Sequence, residues 1–333
     1  MAAVPKATLY TFDGSVWASA PRLALVEKGY AQTDLDLKIV DLLKGENFDP
    51  SFLRINSKGT VPALVVPLLE TTSAEVDTKF RAITDTKLIL EFLDKSRSQN
   101  TLAASADAAA APAPILAPAT IEGKALSDEL IALVHGPSVD PNFLLLGVRS
   151  EAELGKAKQG LPGTFVANRH AALAAHQKAL ENSASTTAFD GSTNPKSSAV
   201  HENLKKWYGD KISSQALLTG AYVDGDKDAV AQLVKLTNEA WQNVAKCIEK
   251  LETKLTGPYA LGDQISLADL HIVPWLARIA AVAQGVKPTS DPIASIDAVI
   301  AEYNVKVGQK ITAFWQTFSE RPSFKAVYGS GLH

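Results

Sequence analysis

Cysteine is nearly absent. The single thiol, Cys247, permits neither an intramolecular disulfide nor a cysteine-based zinc site, so the composition suits a reducing compartment. An excess of charge of one sign is also missing: 33 Lys and Arg against 36 Asp and Glu leave a net charge of -3. That is far from the basic footprint that phosphate-backbone binding demands, and it disfavours nucleic acid as a main partner. No run reaches the ~18 apolar residues of a membrane span. Met1 to Thr8 lacks a basic stretch followed by an apolar one, so the expectation is a soluble, cytoplasmic protein with no membrane partner.

What is present is an ordinary globular balance, 46% apolar and 21% charged over 333 residues. At roughly 100–200 residues per domain this length predicts about two domains. Thr8 to Phe12 is a short β-branched and aromatic run, followed by the turn-prone Asp13-Gly14 and an apolar helix-like stretch from Pro21 to Gly29. Leu35, Leu37 and Ile39 alternate with Asp34, Asp36 and Lys38, as in a half-buried strand. Two further strand-like runs, Val61 to Val66 and Lys79 to Ile83, precede a helix with Leu88, Ile89, Phe92 and Leu93 on one face. The order β-α-β then β-β-α predicts a small α/β domain over residues 1–97.

An Ala/Pro-rich segment at 98–120 reads as a linker or loose insertion. Residues 121–333 read as helical or looped throughout, hence a second, all-α domain. Its strongest helix carries Val230, Leu233, Val234, Thr237, Trp241, Val244, Ile248, Leu251 and Leu255 at steps of three and four. Irregular tracts are expected near 136–163 and 182–198.

Three local patterns carry chemistry. In Asn56-Ser57-Lys58-Gly59-Thr60-Val61-Pro62-Ala63-Leu64 a glycine turn feeds a strand whose second residue is proline. An edge-strand proline explains this; so does a cis Val61–Pro62 bond that turns the Val61 backbone toward an extended, peptide-like ligand. Asp85-Thr86 opens a helix whose N-terminus welcomes a carboxylate, while the Asp85 carboxylate suits an ammonium group; a plain N-cap is the simpler account. Ser15, in the loop ahead of the first helix, offers a hydroxyl able to donate to a thiolate.

Together these residues resemble the glutathione transferase superfamily, whose thioredoxin-like amino-terminal domain is followed by an all-helical domain. The resemblance implies glutathione as co-substrate. Its cysteinyl backbone would pair at Val61 and Pro62, next to Thr60, its γ-glutamyl group at Asp85 and Thr86, and its glycyl carboxylate at Lys58. The family's catalytic serine falls on Ser15, with Ser19 and Tyr10 as rival hydroxyls and Trp17 as a wall of the electrophile pocket. Where related plant proteins carry basic residues, this chain has Asn47 and Phe48. Tyr259 to Leu270 resembles the family's helix-capping segment, in which Ser266 caps the Asp269 N–H and Asp269 reaches back. Trp315 to Lys325, with Arg321-Pro322, resembles its last helices.

On this resemblance the chain is a serine-type transferase. It joins glutathione to a hydrophobic small molecule, with peroxide reduction and ether cleavage also open. The competing class is a non-catalytic carrier, regulatory or assembly protein of the same fold. A homodimer is the family's common assembly.

Other signals weigh less. Asp224 to Asp228 opens like a calcium loop, but Ala229 and Lys235 stand where Gly and Glu belong. His170 and His176 lie about 240° apart around a helix and cannot share a metal. Cys247 suits a small buried hydrophobe. For Arg149 and Arg169, solvated surface charge is the simple reading and an anion site the sharper one.

Overall fold

A computed structural model describes residues 6–68, 80–97, 113–187 and 195–333. The amino-terminal part is a mixed four-stranded sheet with helices: β1 (Ala7–Thr11), α1 (Val16–Glu27), β2 (Leu35–Ile39), α2 (Pro50–Leu53), β3 (Ala63–Pro67), β4 (Phe80–Ile83) and α3 (Thr86–Ser96). The strand order is β2-β1-β3-β4, with β1 parallel to β2 and antiparallel to β3, and β3 antiparallel to β4. This is the expected α/β, thioredoxin-like architecture. Beyond α3 the described residues form helices and no further strand of the sheet: α4 (Ile121–Val134), α5 (Pro141–Leu146), α6 (Glu151–Gln159), α7 (Leu161–Thr187), α8 (Pro195–Ser214), α9 (Ala216–Thr219), α10 (Lys227–Lys254), α11 (Asp269–Val286), α12 (Pro292–Ile300), α13 (Gln309–Ser319) and α14 (Pro322–Tyr328). Among the described residues no helix is long and apolar enough to cross a membrane.

By contact the chain forms two compact units, neither continuous in sequence. The first comprises Met1–Ile39, Thr60–Leu145 and Glu239–His333. Its core joins Leu9, Leu64 and Ile83 of the sheet to Leu23, Ile89 and Leu93 of α1 and α3, and to the apolar length of α11. The second comprises Val40–Gly59 and Leu146–Asn238. Its smaller core gathers Phe48, Leu53, Leu173 and Tyr208, and the Tyr208 hydroxyl donates to the Phe48 carbonyl at 2.6 Å. Gly45 has φ +74 there, and a Cβ on it would sit 2.5 Å from that of Ala172, so both backbone and space demand glycine.

Several expectations are corrected. The first helix starts at Val16, five residues before Pro21, because Ser15 caps it by accepting from the Ala18 N–H at 3.3 Å. β2 is an edge strand whose Leu37 and Ile39 are more than half exposed, so only Leu35 of the alternating set is buried. On α3 the buried stripe is Ile89, Leu90, Leu93 and Asp94, and Leu88 faces out.

Asp94 explains a further correction. Its carboxylate is buried, takes the Lys28 ammonium at 2.8 Å, and accepts the Leu116 and Ala117 N–H groups at 3.0 Å. The carboxyl end of the expected linker is therefore docked, with Ala113 and Leu116 buried, while 98–112 lies outside the described residues. The tract near 136–163 holds α5 and α6, the latter capped by Ser150 accepting from the Glu153 N–H. Of the tract near 182–198, α7 and α8 cover both flanks, and 188–194 lies outside the described residues.

α11 is held at its start by Asp269. The buried carboxylate accepts the Ala260 and Ser266 N–H groups, both at 2.7 Å, and the Ser266 hydroxyl donates to it at 2.6 Å. Half of the expected capping box is present: Asp269 reaches back, but the Ser266 hydroxyl is turned to the carboxylate instead of the Asp269 N–H. Asp269→Ala strands two buried backbone N–H donors, each costing about 1–3 kcal/mol, and frees the Ser266 hydroxyl to turn elsewhere. Urea unfolding should therefore show a loss of about 3 kcal/mol, with Asp269→Asn losing less; a loss below about 1 kcal/mol contradicts this role.

Candidate functional site

Strand register brings the expected residues to one end of the sheet. Ala63 pairs with Tyr10 and Leu64 with both Leu9 and Ile83. The Val61–Pro62 peptide, which is cis, and Asp85-Thr86 therefore flank the end of β1, from which the chain runs through Phe12 to Ser15. At Asp85, Oδ1 accepts from the Leu88 N–H at 3.0 Å as the cap of α3, and the residue stays exposed, so capping and a free carboxylate edge coexist. Thr86 is the first residue of α3 and Thr60 is exposed.

The three candidate hydroxyls differ in what already engages them. Ser15 Oγ accepts from the Ala18 N–H, and a hydroxyl that accepts there keeps its proton to donate. Ser19 is fully buried; its hydroxyl donates to the Ser15 carbonyl at 3.1 Å and lies 3.0 Å from His333 Nε2. Tyr10 is half-buried on β1, with the Lys38 ammonium 5.4 Å from its ring centroid.

Lys58 belongs to the second unit, where its N–H donates to Asn56 Oδ1 at 3.0 Å. Asn47 and Phe48 of the same unit are buried and structural: Asn47 Nδ2 donates to the Gly59 carbonyl at 2.8 Å.

Three residues at the site escaped sequence reasoning, and all answer to one helix. α11 is almost wholly apolar except for His271, Trp275 and Arg278, spaced i, i+4, i+7 on one face. Trp275 Nε1 donates to the Val139 carbonyl at 3.0 Å. Arg278 donates to the Gly14 carbonyl at 2.6 Å, one residue before Ser15. Its guanidinium is buried and its Nε has no hydrogen-bond partner; burial pulls its pKa down to about 10, which leaves it charged at neutral pH.

His271 is fully buried, with Nδ1 2.8 Å from His135 Nε2. The His135 ring stacks on Trp17 at 3.8 Å with an interplanar angle of 18°. Trp17, His135, Pro137, Asp140 and Asn142 line a cavity of about 320 Å3. Trp17 shares this cavity with three polar side chains, His135, Asp140 and Asn142, and with Val134, Pro137 and Pro141. A polar stripe on an otherwise apolar helix was the available signal for all three α11 residues.

Comparisons with known proteins identify the family. The family profile described as glutathione S-transferase, N-terminal domain, matches residues 9–101, and the one described as glutathione S-transferase, C-terminal domain, matches residues 228–323. The chain belongs to the glutathione S-transferase superfamily. Among curated superfamily members, a glutathione S-transferase zeta class protein of Euphorbia esula is 48% identical over 61 residues, 18% of this chain and 26% of the relative. The maleylacetoacetate isomerase maiA of Aspergillus fumigatus is 38% identical over 91 residues, 27% of this chain and 35% of the relative. The chain thus spans about a quarter to a third of the curated relatives' length. The crystal structure of the beta-etherase LigF from Sphingobium sp. strain SYK-6 aligns over 98% of this chain and all of that one, with a TM-score of 0.54 and 17% identity, a likeness of fold.

Burial holds His271 well below its ordinary pKa, aided by the neighbouring His135, so it is neutral in the folded state at pH 7. The unfolded chain takes up that proton as pH falls below ~6.5, so stability present above that pH is lost on acidification. His271→Leu should flatten this acid limb in urea midpoints compared at pH 7 and 5; an unchanged limb counts against a buried neutral imidazole.

Proposed function

We propose that this glutathione S-transferase superfamily protein binds glutathione and activates its thiolate at Ser15 for attack on a small electrophile. The observation that carries the reading is the Ser15 hydroxyl: fixed as the α1 cap, with its proton free, at the sheet end that also holds Val61–Pro62 and Asp85-Thr86. The cysteinyl backbone of glutathione pairs with Val61. Its γ-glutamyl carboxylate meets the α3 N-terminus at Thr86, and its ammonium meets Asp85.

Glutathione's thiol has a resting pKa near 8.5, and each unit of depression requires about 1.4 kcal/mol of preference for the anion. The Ser15 hydroxyl supplies one hydrogen bond and the α1 N-terminus a favourable dipole. Arg278 adds a buried positive charge bonded to the Gly14 carbonyl, with no ion pair to a carboxylate among the described residues. Ser19 and Tyr10 are secondary candidates. The thiol proton leaves to solvent, the thiolate sulfur bonds to the electrophilic carbon, and the leaving group departs with the displaced electron pair.

The electrophile lies against Trp17, in the cavity it shares with His135 and Asn142. That lining suits an oxygenated molecule with an apolar part better than a bare hydrocarbon. Conjugation, isomerisation, ether cleavage and peroxide reduction all begin from this same thiolate, and the relatives' names span isomerase, etherase and dehalogenase. The buried lone Cys247, its thiol pushed up to about 12 by burial, suits a cytoplasmic enzyme whose reactive sulfur arrives with the ligand. A homodimer is the assembly to check by light scattering.

Ser15→Ala should lower kcat in a thiol-conjugation assay by about 10–100-fold, the scale of one or two lost anion hydrogen bonds, with glutathione retention on an affinity column little changed. Unchanged turnover would remove Ser15 from the role. Retention of glutathione by the wild type without turnover on any electrophile would favour the carrier reading.

A further inference from the structure

β2 stands at the end of the strand order, and among the described residues no further strand pairs with its outer edge. An open edge is a template for another chain, and proteins usually blunt it with lysines, prolines or bulges. β2 has no proline, runs in unbroken register with β1 from Leu35 to Ile39, and sets Asp36 beside its single Lys38.

The side chains of this strand divide by face. On one side Leu37 is 56% and Ile39 54% exposed. Leu35 and Leu37 continue there into an open groove of about 690 Å3, walled by Val26 of α1, Tyr30 and Ala326 of α14. An exposed apolar stripe running into a groove marks a contact surface. On the other side are Asp36 and Lys38, both exposed. Neither has an ion-pair partner among the described residues; the Lys38 ammonium rests over the Tyr10 ring.

The charges are a palindrome about Leu37. When a second β2 lies antiparallel with Leu37 opposite Leu37, each Asp36 falls opposite the other copy's Lys38, and Leu35 falls opposite Ile39. Sliding by two residues sets Asp36 against Asp36 or Lys38 against Lys38. Sliding by one puts the charged face of one strand against the apolar face of the other. A parallel, in-register pairing also aligns like charges. One arrangement therefore satisfies both faces at once, and it has the two-fold symmetry of a closed dimer.

We propose that the outer edge of β2 is a self-association surface: two copies of this chain join antiparallel about Leu37, with two Asp36–Lys38 pairs on one face and the second copy's Ile39 meeting Leu35 beside the groove on the other. The two sheets become one continuous sheet, and each copy covers the other's open edge. The contact uses none of the residues assigned to glutathione and stands independently of that reading.

Sedimentation equilibrium of the full chain tests it. Wild type should be dimeric at about 100 µM and dissociate on dilution, as a small interface does. Asp36→Lys and Lys38→Asp each turn two attractive pairs into repulsive ones and should weaken the dimer at least about tenfold; Leu37→Asp, which brings two carboxylates together on the axis, should do the same. The double variant Asp36→Lys/Lys38→Asp restores both pairs with the signs exchanged and should return to within about threefold of wild type. Asp36→Lys mixed with Lys38→Asp should form a heterodimer more readily than either pairs with itself. All three positions are exposed, so circular dichroism melts should match wild type. Leu37→Cys supplies a trap: on the axis the two Cα atoms would lie about 4.5–5.5 Å apart, within disulfide reach, and Cys247 is buried away from the reaction. Diamide should convert this variant to a covalent dimer on a non-reducing gel and leave Ile121→Cys, on the exposed start of α4, monomeric. The proposal is overturned if wild type stays monomeric at that concentration, if its dimer survives Asp36→Lys, Lys38→Asp and Leu37→Asp, or if the charge-exchanged double variant pairs no better than the single ones.

Discussion

The hydrogen bond from Arg278 to the Gly14 carbonyl is the constraint on which the candidate site turns. It fixes the loop that delivers Ser15 and places a guanidinium where water does not reach. Such a charge is costly to bury, and a helix with no exposed face through its first three turns is an expensive place to keep one. A single carbonyl partner and an orphaned Nε leave it only partly satisfied. Under the proposed function, an anion forming next to Ser15 would complete it.

The helix that carries Arg278 can be buried because its polar groups are satisfied one by one. Asp269 takes three donors at the start, Trp275 reaches the Val139 carbonyl, and His271 meets His135. The same logic recurs at Lys28 and Asp94, an ion pair inside the first unit that is completed by the Leu116 and Ala117 amides. Apart from Asp269, whose partners are local, each of these polar side chains ties together segments distant in sequence. The first unit can therefore be built from three separate stretches of chain.

The legible part of the structure is the part that a linear pattern records. The long helix α10 was readable because steps of three and four report directly which side is buried, while alternation located β2 but overstated its burial, Leu37 and Ile39 being exposed. Ser15, Val61–Pro62 and Asp85-Thr86 were readable because each marks the start of an element. The start of α1 was not: Pro21 reads as a first-turn residue, and only the bond from Ala18 to Ser15 reveals the earlier cap. Leu88 and Leu90 were exchanged because both fit a helical face, and the sheet beneath α3 decides between them. The partners of His271 and Arg278 were out of reach, since they lie 136 and 264 residues away in the chain. The gathering of 40–59 with 146–238 was hidden for the same reason.

The most direct test of this account is the ionisation of glutathione's thiol on the protein, followed by the ultraviolet absorbance of the thiolate across pH. In wild type the bound thiol should ionise well below its value in water. Arg278→Met should raise that apparent pKa by about one unit, equivalent to ~1.4 kcal/mol of lost preference for the anion, and Arg278→Lys should hold it near wild type. A bound thiol that titrates identically in wild type and Arg278→Met contradicts the claim that this buried charge serves the thiolate.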